Sequence, residues 1–322
     1  MKKTIMLSLV VTSLVMGANT VNDLTIDQKS KIDSTTITGA TVHQGKTVVS
    51  DNSDVDDVKI RQEAGDGNLI DNSSISGKYN GTDESVLQGF VKIHNSQAKE
   101  LSLTSKNTIQ NVEVLNSLIE QGSFILTDSN ATKTASGTNI QLNSINIVQD
   151  STVDTSIDIN ATEIKQGVTL LSTSSEVKNV DLQHMNIITG SEIESSKVHQ
   201  AFLKVDDSQV DDLEVKGLGG GDNQNSLLTS RIEANSLVEQ SVIDINTDSI
   251  VKRLDSYTKN TIENFKAEDS NITQSKITIH DSHVSDLLTK LENTIEGTIV
   301  TGTTYTGWSK TSTISQGETT IN

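Results

Sequence analysis

The sequence predicts an all-β chain folded as an elongated β-solenoid (β-helix) built from about eight tandem half-units. Three observations carry this expectation. A glutamine motif recurs eight times, apolar residues around it fall five apart, and the chain has no proline, no cysteine and only 2% aromatic residues.

The motif reads apolar-x-Gln-small. Its glutamines are Gln44, Gln88, Gln121, Gln166, Gln200, Gln240, Gln274 and Gln316, each followed by Gly, Ala or Ser. Five places after them stand Val49, Ile93, Leu126, Leu171, Val205, Ile245, Ile279 and Ile321. The spacings alternate (44, 33, 45, 34, 40, 34, 42), which suggests a long unit made of two similar halves. Self-similarity at such a period marks an architecture in which each unit must stack on its neighbours to bury its apolar face. In a strand, the glutamine shares a face with the apolar residue two before it, so it is expected to point inward. Stacked amides can then hydrogen-bond along the axis, a structural role.

Around alternate copies the apolar residues form series with a period of five. These are Ile32, Ile37, Val42; Ile109, Val114, Ile119, Phe124; Ile188, Ile193, Val198, Leu203; and Ile262, Ala267, Ile272, Ile277. Five is neither the helical 3.6 nor the strand period of 2. It suits a coil whose short sides each send one residue inward before turning a corner. Downstream of the glutamine, segments such as 204–213 and 278–287 read as short alternating strands separated by Asp/Ser turns. If each half-unit makes two coils, roughly 16 coils at about 4.8 Å each give a rod on the order of 75 Å long.

Average usage would place about 16 prolines in a chain of this length. Proline is confined to sheet edges and bulges, so its absence suits a body with few free edges. Disorder, the competing reading of so much Ser, Thr, Asn and Asp, enriches proline and lacks periodic Ile and Val. At the start, Lys2 and Lys3, a twelve-residue apolar stretch at 5–16 and the small residues Gly17 and Ala18 read as a secretory signal over 1–18. That leaves 19–322 as the repeat domain, with 303–322 as a C-terminal cap. Helix is expected only in the leader and the cap. The apolar stretch is shorter than the roughly 20 residues a spanning helix needs. Loss of two lysines with the leader moves the formal charge from −18 to −20, an acidity that repels nucleic acid. Without cysteine the exported fold has no disulfides, and about 300 residues can bury a core without them.

The Ser-x-apolar-x-Gln-Gly element, seen in residues 116–122 and again in 195–201, resembles the curlin-type repeats of bacterial fibre subunits. The Ile32, Ile37, Val42 series is similar to pentapeptide-like solenoids. The repeat is longer than a curlin repeat and lacks its regular second Asn and Gln. What the resemblance implies is a self-stacking β-unit.

Candidates for chemistry are few. His43 and His199 immediately precede a repeat glutamine, and His94 and His280 stand six after one, so they read as repeat decoration. His280 and His283 flanking Asp281 have metal-ligand spacing but read better as a solvated turn. Acidic turns make Asp51, Asp54, Asp206, Asp207, Asp211 and Asp212 the candidates for Ca²⁺, the one cofactor the sequence suggests. The stretch 217–224 resembles calcium-binding nonapeptides, but no segment has EF-hand spacing. Arginine occurs only at 61, 231 and 253, and Tyr305 and Trp308 stand alone near the C-terminus. No nucleophile triad, phosphate loop or nucleotide fingerprint is present. The expectation is a non-catalytic, exported structural repeat protein of the cell surface or matrix. It would be an adhesin or fibre subunit that associates with itself or a surface partner, not with nucleic acid. The alternative is a secreted or periplasmic solenoid that binds or acts on polysaccharide.

Overall fold

The computed structural model describes residues 10–17, 20–27, 30–38, 42–50, 54–62, 67–76, 85–115, 118–132, 140–154, 163–194, 197–216, 223–233, 237–264, 266–268, 270–297, 299–301, 304–305, 308–309 and 313–321. Among them there is no helix. The strands form parallel stacks of 12, 14 and 8 strands, plus a two-stranded antiparallel pair, Thr304–Tyr305 with Trp308–Ser309. The chain is a β-solenoid. Each coil passes along a glutamine-bearing sheet, returns along a second sheet that carries an asparagine, and crosses a short third side of about three residues before the next glutamine. Val42–Ser50, Gln97–Gln110 and Glu113–Leu115 are examples of the three.

Two expectations are corrected. Each half-unit makes one coil and not two, because Gln88 already pairs with Gln44 in register, Gln121 with Gln88, and so on to Gln316. The half-unit is consumed by three sides, two of them long. The eight glutamine rungs therefore span seven steps of about 4.8 Å, about 34 Å in all. The described part of the apolar leader is also not helical. Val10–Gly17 is a strand paired in parallel with Val42–Ser50, so its Val-rich sequence extends the stack.

The additional residues of the longer coils lie at two places. One is ahead of the next glutamine strand, as between Thr152–Asp154 and Glu163–Gln166. The other is in the second sheet: two short coils cross it with unbroken 14-residue strands, Gln97–Gln110 and Glu176–Thr189, and two longer ones divide the same path into Asn130–Thr132 and Ile140–Gln149, or Gln209–Lys216 and Asn223–Leu228. Both pieces keep register with the unbroken strand beside them.

The core has two apolar compartments. Where three sides meet, Ile32, Val42, Ile109, Ile119, Ile188, Val198, Ile262 and Ile272 are all buried in one cluster with Ile75, Val114 and Ile193 from the short side. The five-residue period is this triangle, one inward residue per side. The second compartment lies between the two long sheets and contains Phe124, Leu126, Leu171, Leu182, Leu203 and Val205. Corners between sides are made by a residue in the left-handed region followed by serine, as in Asp150–Ser151 and Asp207–Ser208. Asn and Asp tolerate that region best among non-glycine residues. The serine hydroxyl donates to the carbonyl two residues back (Ser151 to Gln149, 2.7 Å) and accepts from the serine amide of the neighbouring coil (Ser151 N to Ser191 Oγ, 3.3 Å).

Candidate functional site

Between the two apolar compartments runs a polar seam. On one wall every glutamine donates from Nε2 to Oε1 of the glutamine one rung earlier, from Gln88 to Gln44 through to Gln316 to Gln274, at 2.6–2.9 Å. On the facing wall is a second row, Asn68, Asn107, Asn146, Asn186, Asn225, Asn260 and Asn293. Here each Nδ2 donates to Oδ1 of the asparagine one rung later, at 2.8–3.0 Å. The two rows thus have opposite polarity. Gln44 through Gln274 and Asn68 through Asn260 are buried, so these amides must find their partners inside the protein.

The seam explains the small residue after the glutamine at Gly89, Gly122, Gly167, Ser241 and Ser275. Gly122 has φ +62°, and an added Cβ would lie 2.7 Å from Asn146 Oδ1. Where glycine stands, a side chain from the asparagine wall fills the space: Ser105 opposite Gly89, Ser144 opposite Gly122 and His184 opposite Gly167. Where serine replaces glycine, its own hydroxyl does so, with Ser241 Oγ donating to Asn260 Oδ1 and Ser275 Oγ to Asn293 Oδ1, both at 2.7 Å.

Among the described residues, His184 is the one ionisable group in the seam. Its Nδ1 lies 2.7 Å from Ser144 Oγ, and its Nε2 has no hydrogen-bond partner among the described residues. Burial brings its pKa down to about 4, so it is neutral at pH 7.

Outside the seam, the residues beside the glutamine motif form a partly buried band, the crease, on the outer face of the glutamine sheet. Charged residues from four consecutive rungs line it. Lys165 Nζ lies 3.6 Å from Glu120 and 3.2 Å from Glu163, and His199 lies 3.0 Å from Glu163 and 2.8 Å from Glu239. Phe202 meets the His199 ring edge-on at 5.7 Å. Burial pushes the Glu120 carboxyl above its ordinary range against the pull of Lys165. Burial would also raise Glu163, but His199 and Lys165 hold it below its usual value. Burial would lower His199, but Glu163 and Glu239 together keep it above.

The other sequence candidates lie apart from this crease. His94, His280 and His283 are exposed, and His280 pairs with Asp281, at 2.9 Å. Of the Ca²⁺ candidates, Asp206 lies 3.3 Å from Lys204, Asp211 lies 3.2 Å from Lys252, and Asp207 sits at a left-handed turn. Asp54 and Asp212 lie in strands, and Asp51 is outside the described residues. Among the described residues no three His, Asp or Glu side chains are grouped to hold a metal. Lys165 is held between two carboxylates because Glu120 stands beside it on the neighbouring coil and Glu163 two places before it on its own strand. Sequence reasoning missed the asparagine row and His184. The signal was present as Asn-x-apolar, two residues before Ile70, Ile109, Val148, Ile188, Leu227, Ile262 and Ile295.

The fold and the seam define a parallel β-solenoid with paired internal amide rows. No protein-family model and no curated protein matches the chain. Among solved structures, the A-module of Azotobacter vinelandii mannuronan C-5 epimerase AlgE4 aligns over 92% of this chain and 91% of its own, at 12% identity and a TM-score of 0.15. At that score the alignment bears on neither mechanism nor function.

Proposed function

We propose that the chain is an exported structural repeat protein of the cell surface or extracellular matrix, a fibre subunit or adhesin without a catalytic role. The polarity of the amide rows is the observation that supports this reading best. At one end of the stack, among the described residues, Gln316 Oε1 has no donor and Asn293 Nδ2 no acceptor. The core residues Leu287, Leu291 and Ile295 are there only partly buried. At the other end Gln44 Nε2 turns to Leu69 O, since its register neighbour is a valine, which has no side-chain amide.

The strand Thr313–Ile321 and the strand Val42–Ser50 share one pattern: Ile314, Gln316, Thr319 and Ile321 against Val42, Gln44, Thr47 and Val49. Two places after the glutamine they carry opposite charges, Glu318 and Lys46. A second copy that set Val42–Ser50 on Thr313–Ile321 would continue the glutamine row, place Ser30, the register neighbour of Asn68, on the rung after Asn293, and bring Lys46 beside Glu318. Removal of a leader ending at Ala18 would take Val10–Gly17 off that edge. The test is electron microscopy of the chain purified after export, with its first residue read by mass spectrometry. Filaments are expected from processed chain, their loss in Glu318→Lys, and their return in Lys46→Glu/Glu318→Lys. Processed chain that stays monomeric at high concentration refutes the fibre reading.

A second reading, polysaccharide binding, is favoured by the crease, where carboxylates, Lys165 and the Phe202 ring converge. Retention on immobilised polysaccharide that is lost in Glu120→Gln and Phe202→Ala would support it.

A further inference from the structure

On the outer face of the glutamine sheet, the residue before each repeat glutamine meets the residue two places after it. Ser315 Oγ donates to Glu318 Oε2 at 3.2 Å in this way, and the His199 ring meets Phe202. At the first glutamine these two places hold His43 and Lys46, and at the last they hold Ser315 and Glu318. We propose that end-to-end association is proton-linked, with protonated His43 of one copy joining its Lys46 on the Glu318 carboxylate of the adjoining copy, so that the stack grows more readily in mild acid. This regulation rests on the fibre reading above.

The first rung carries an unbalanced charge. His43 and Lys46 are half-buried, and no carboxylate among the described residues pairs with either. Burial, and then a neighbouring cation, works against the charged form of each: Lys46 acts on His43, and Lys92 of the next coil acts on Lys46. Leu87 on the next coil and, before processing, Val10 stand beside His43 in register and carry no charge. In the separate chain His43 is therefore drawn towards its neutral form.

Association supplies the missing carboxylate. With Gln44 set on Gln316, His43 stands on the rung after Ser315 and Lys46 on the rung after Glu318, while Lys276 flanks Glu318 on the other side. The column then alternates in sign through Lys276, Glu318 and Lys46. One rung is near enough for such groups to pair, since His199 lies 2.8 Å from Glu239 and Lys165 lies 3.6 Å from Glu120 on adjacent coils. The bond from Ser315 holds the Glu318 carboxylate towards the row that His43 joins. A carboxylate there favours the protonated ring. His43 takes up a proton on association, and by linkage association tightens as pH falls. The gain is full below the pKa of the separate chain, which burial and Lys46 hold under 6.5, and is lost as pH rises through the higher pKa of the assembled form.

Sedimentation of the exported, processed chain gives the critical concentration for filaments at about pH 5.5 and about pH 8, on either side of the ordinary histidine value. Acid also reduces the chain's net negative charge, which helps any association, so the comparison is with His43→Gln. Between those pH values the parent should gain roughly three- to tenfold more than His43→Gln, the factor given by a pKa rise of about half to one unit. His43→Lys, charged throughout, should stay close to the acid-form affinity at both. His94→Gln, at an exposed site outside this contact, should behave as the parent, and circular dichroism should show each variant folded. Equal gains in parent and His43→Gln overturn the proton linkage and leave the fibre reading standing. Absence of filaments at both pH values, in the parent and in His43→Lys alike, overturns the fibre reading and the linkage with it.

Discussion

The two apolar compartments are built from the same coils yet follow different rules. In the three-sided corner the rows are nearly uniform: Val42, Val86, Ile119, Ile164, Val198, Val238 and Ile272 from one side, and Ile32, Ile70, Ile109, Val148, Ile188, Leu227 and Ile262 from another. Between the long sheets one row varies, with Val91, Phe124, Thr169, Leu203, Ile243 and Ile277 at one register position, beside the aliphatic row Val49, Ile93, Leu126, Leu171, Val205, Ile245 and Ile279. A corner closed on three sides admits one β-branched shape per rung, and its packing density leaves little room to relax. Two flat sheets can compensate a large residue with a small one nearby. The polar seam separates these regimes, and its amides demand fixed register on both walls.

The largest expected effect breaks the corner. Ile119→Asp or Val198→Asp should unfold at least the adjoining coils, since a buried unpaired charge costs several kcal/mol. Unchanged urea midpoints for both would refute the assigned inward rows. For neutral truncation, Ile119→Ala should fall at the upper end of the roughly 2–5 kcal/mol range for such changes. Leu126→Ala, in the flat compartment, should fall lower because its surroundings can close in. Equal costs would remove the distinction drawn between the compartments.

Next comes the seam. Gln121→Leu leaves Gln88 Oε1 and Gln166 Nε2 without their row partner, at about 1–3 kcal/mol for each buried group. Lys252→Leu, on the surface, should stay within about 0.5 kcal/mol. Denaturant titrations giving the same result for both would mean that the amide row adds nothing. Smaller still, Gly122→Ala should cost more than Gly317→Ala. Both glycines have positive φ, but only Gly122 has a seam residue in its way.

The pH dependence separates seam from crease. His184 has its pKa lowered to about 4 from 6.5 by burial, so its contribution to stability is present above pH 6.5 and is lost as pH falls towards 4. His184→Ser, which restores the residue type of Ser105 and Ser144, should flatten that acid limb. His199 has the opposite sign. Its folded pKa is raised, so its contribution is full below the unfolded value near 6.5 and is lost as pH rises through the folded pKa. Thermal melts of His199→Gln should therefore lose stability relative to the parent on the acid side and converge with it at high pH.

The sequence by itself determined the repeat, the all-β class and the inward rows. The Gln motif and the Ile and Val residues five apart are local patterns whose meaning is the same in every coil, so repetition made them readable. Ile119, Val198 and their equivalents are buried where the period placed them. The turns were legible too, because Asp or Asn before Ser has its own backbone chemistry. The number of coils was decided only in three dimensions, because register between strands 33 to 45 residues apart depends on how many sides a coil has, and spacing alone does not count sides. The asparagine row was in plain view in the sequence, but its role depends on facing the glutamines across the seam. The same holds for Lys165 and His199. Their neighbours are contributed by adjacent coils, and stacking set them at about 4.8 Å, so proximity along the axis gave these charges their partners.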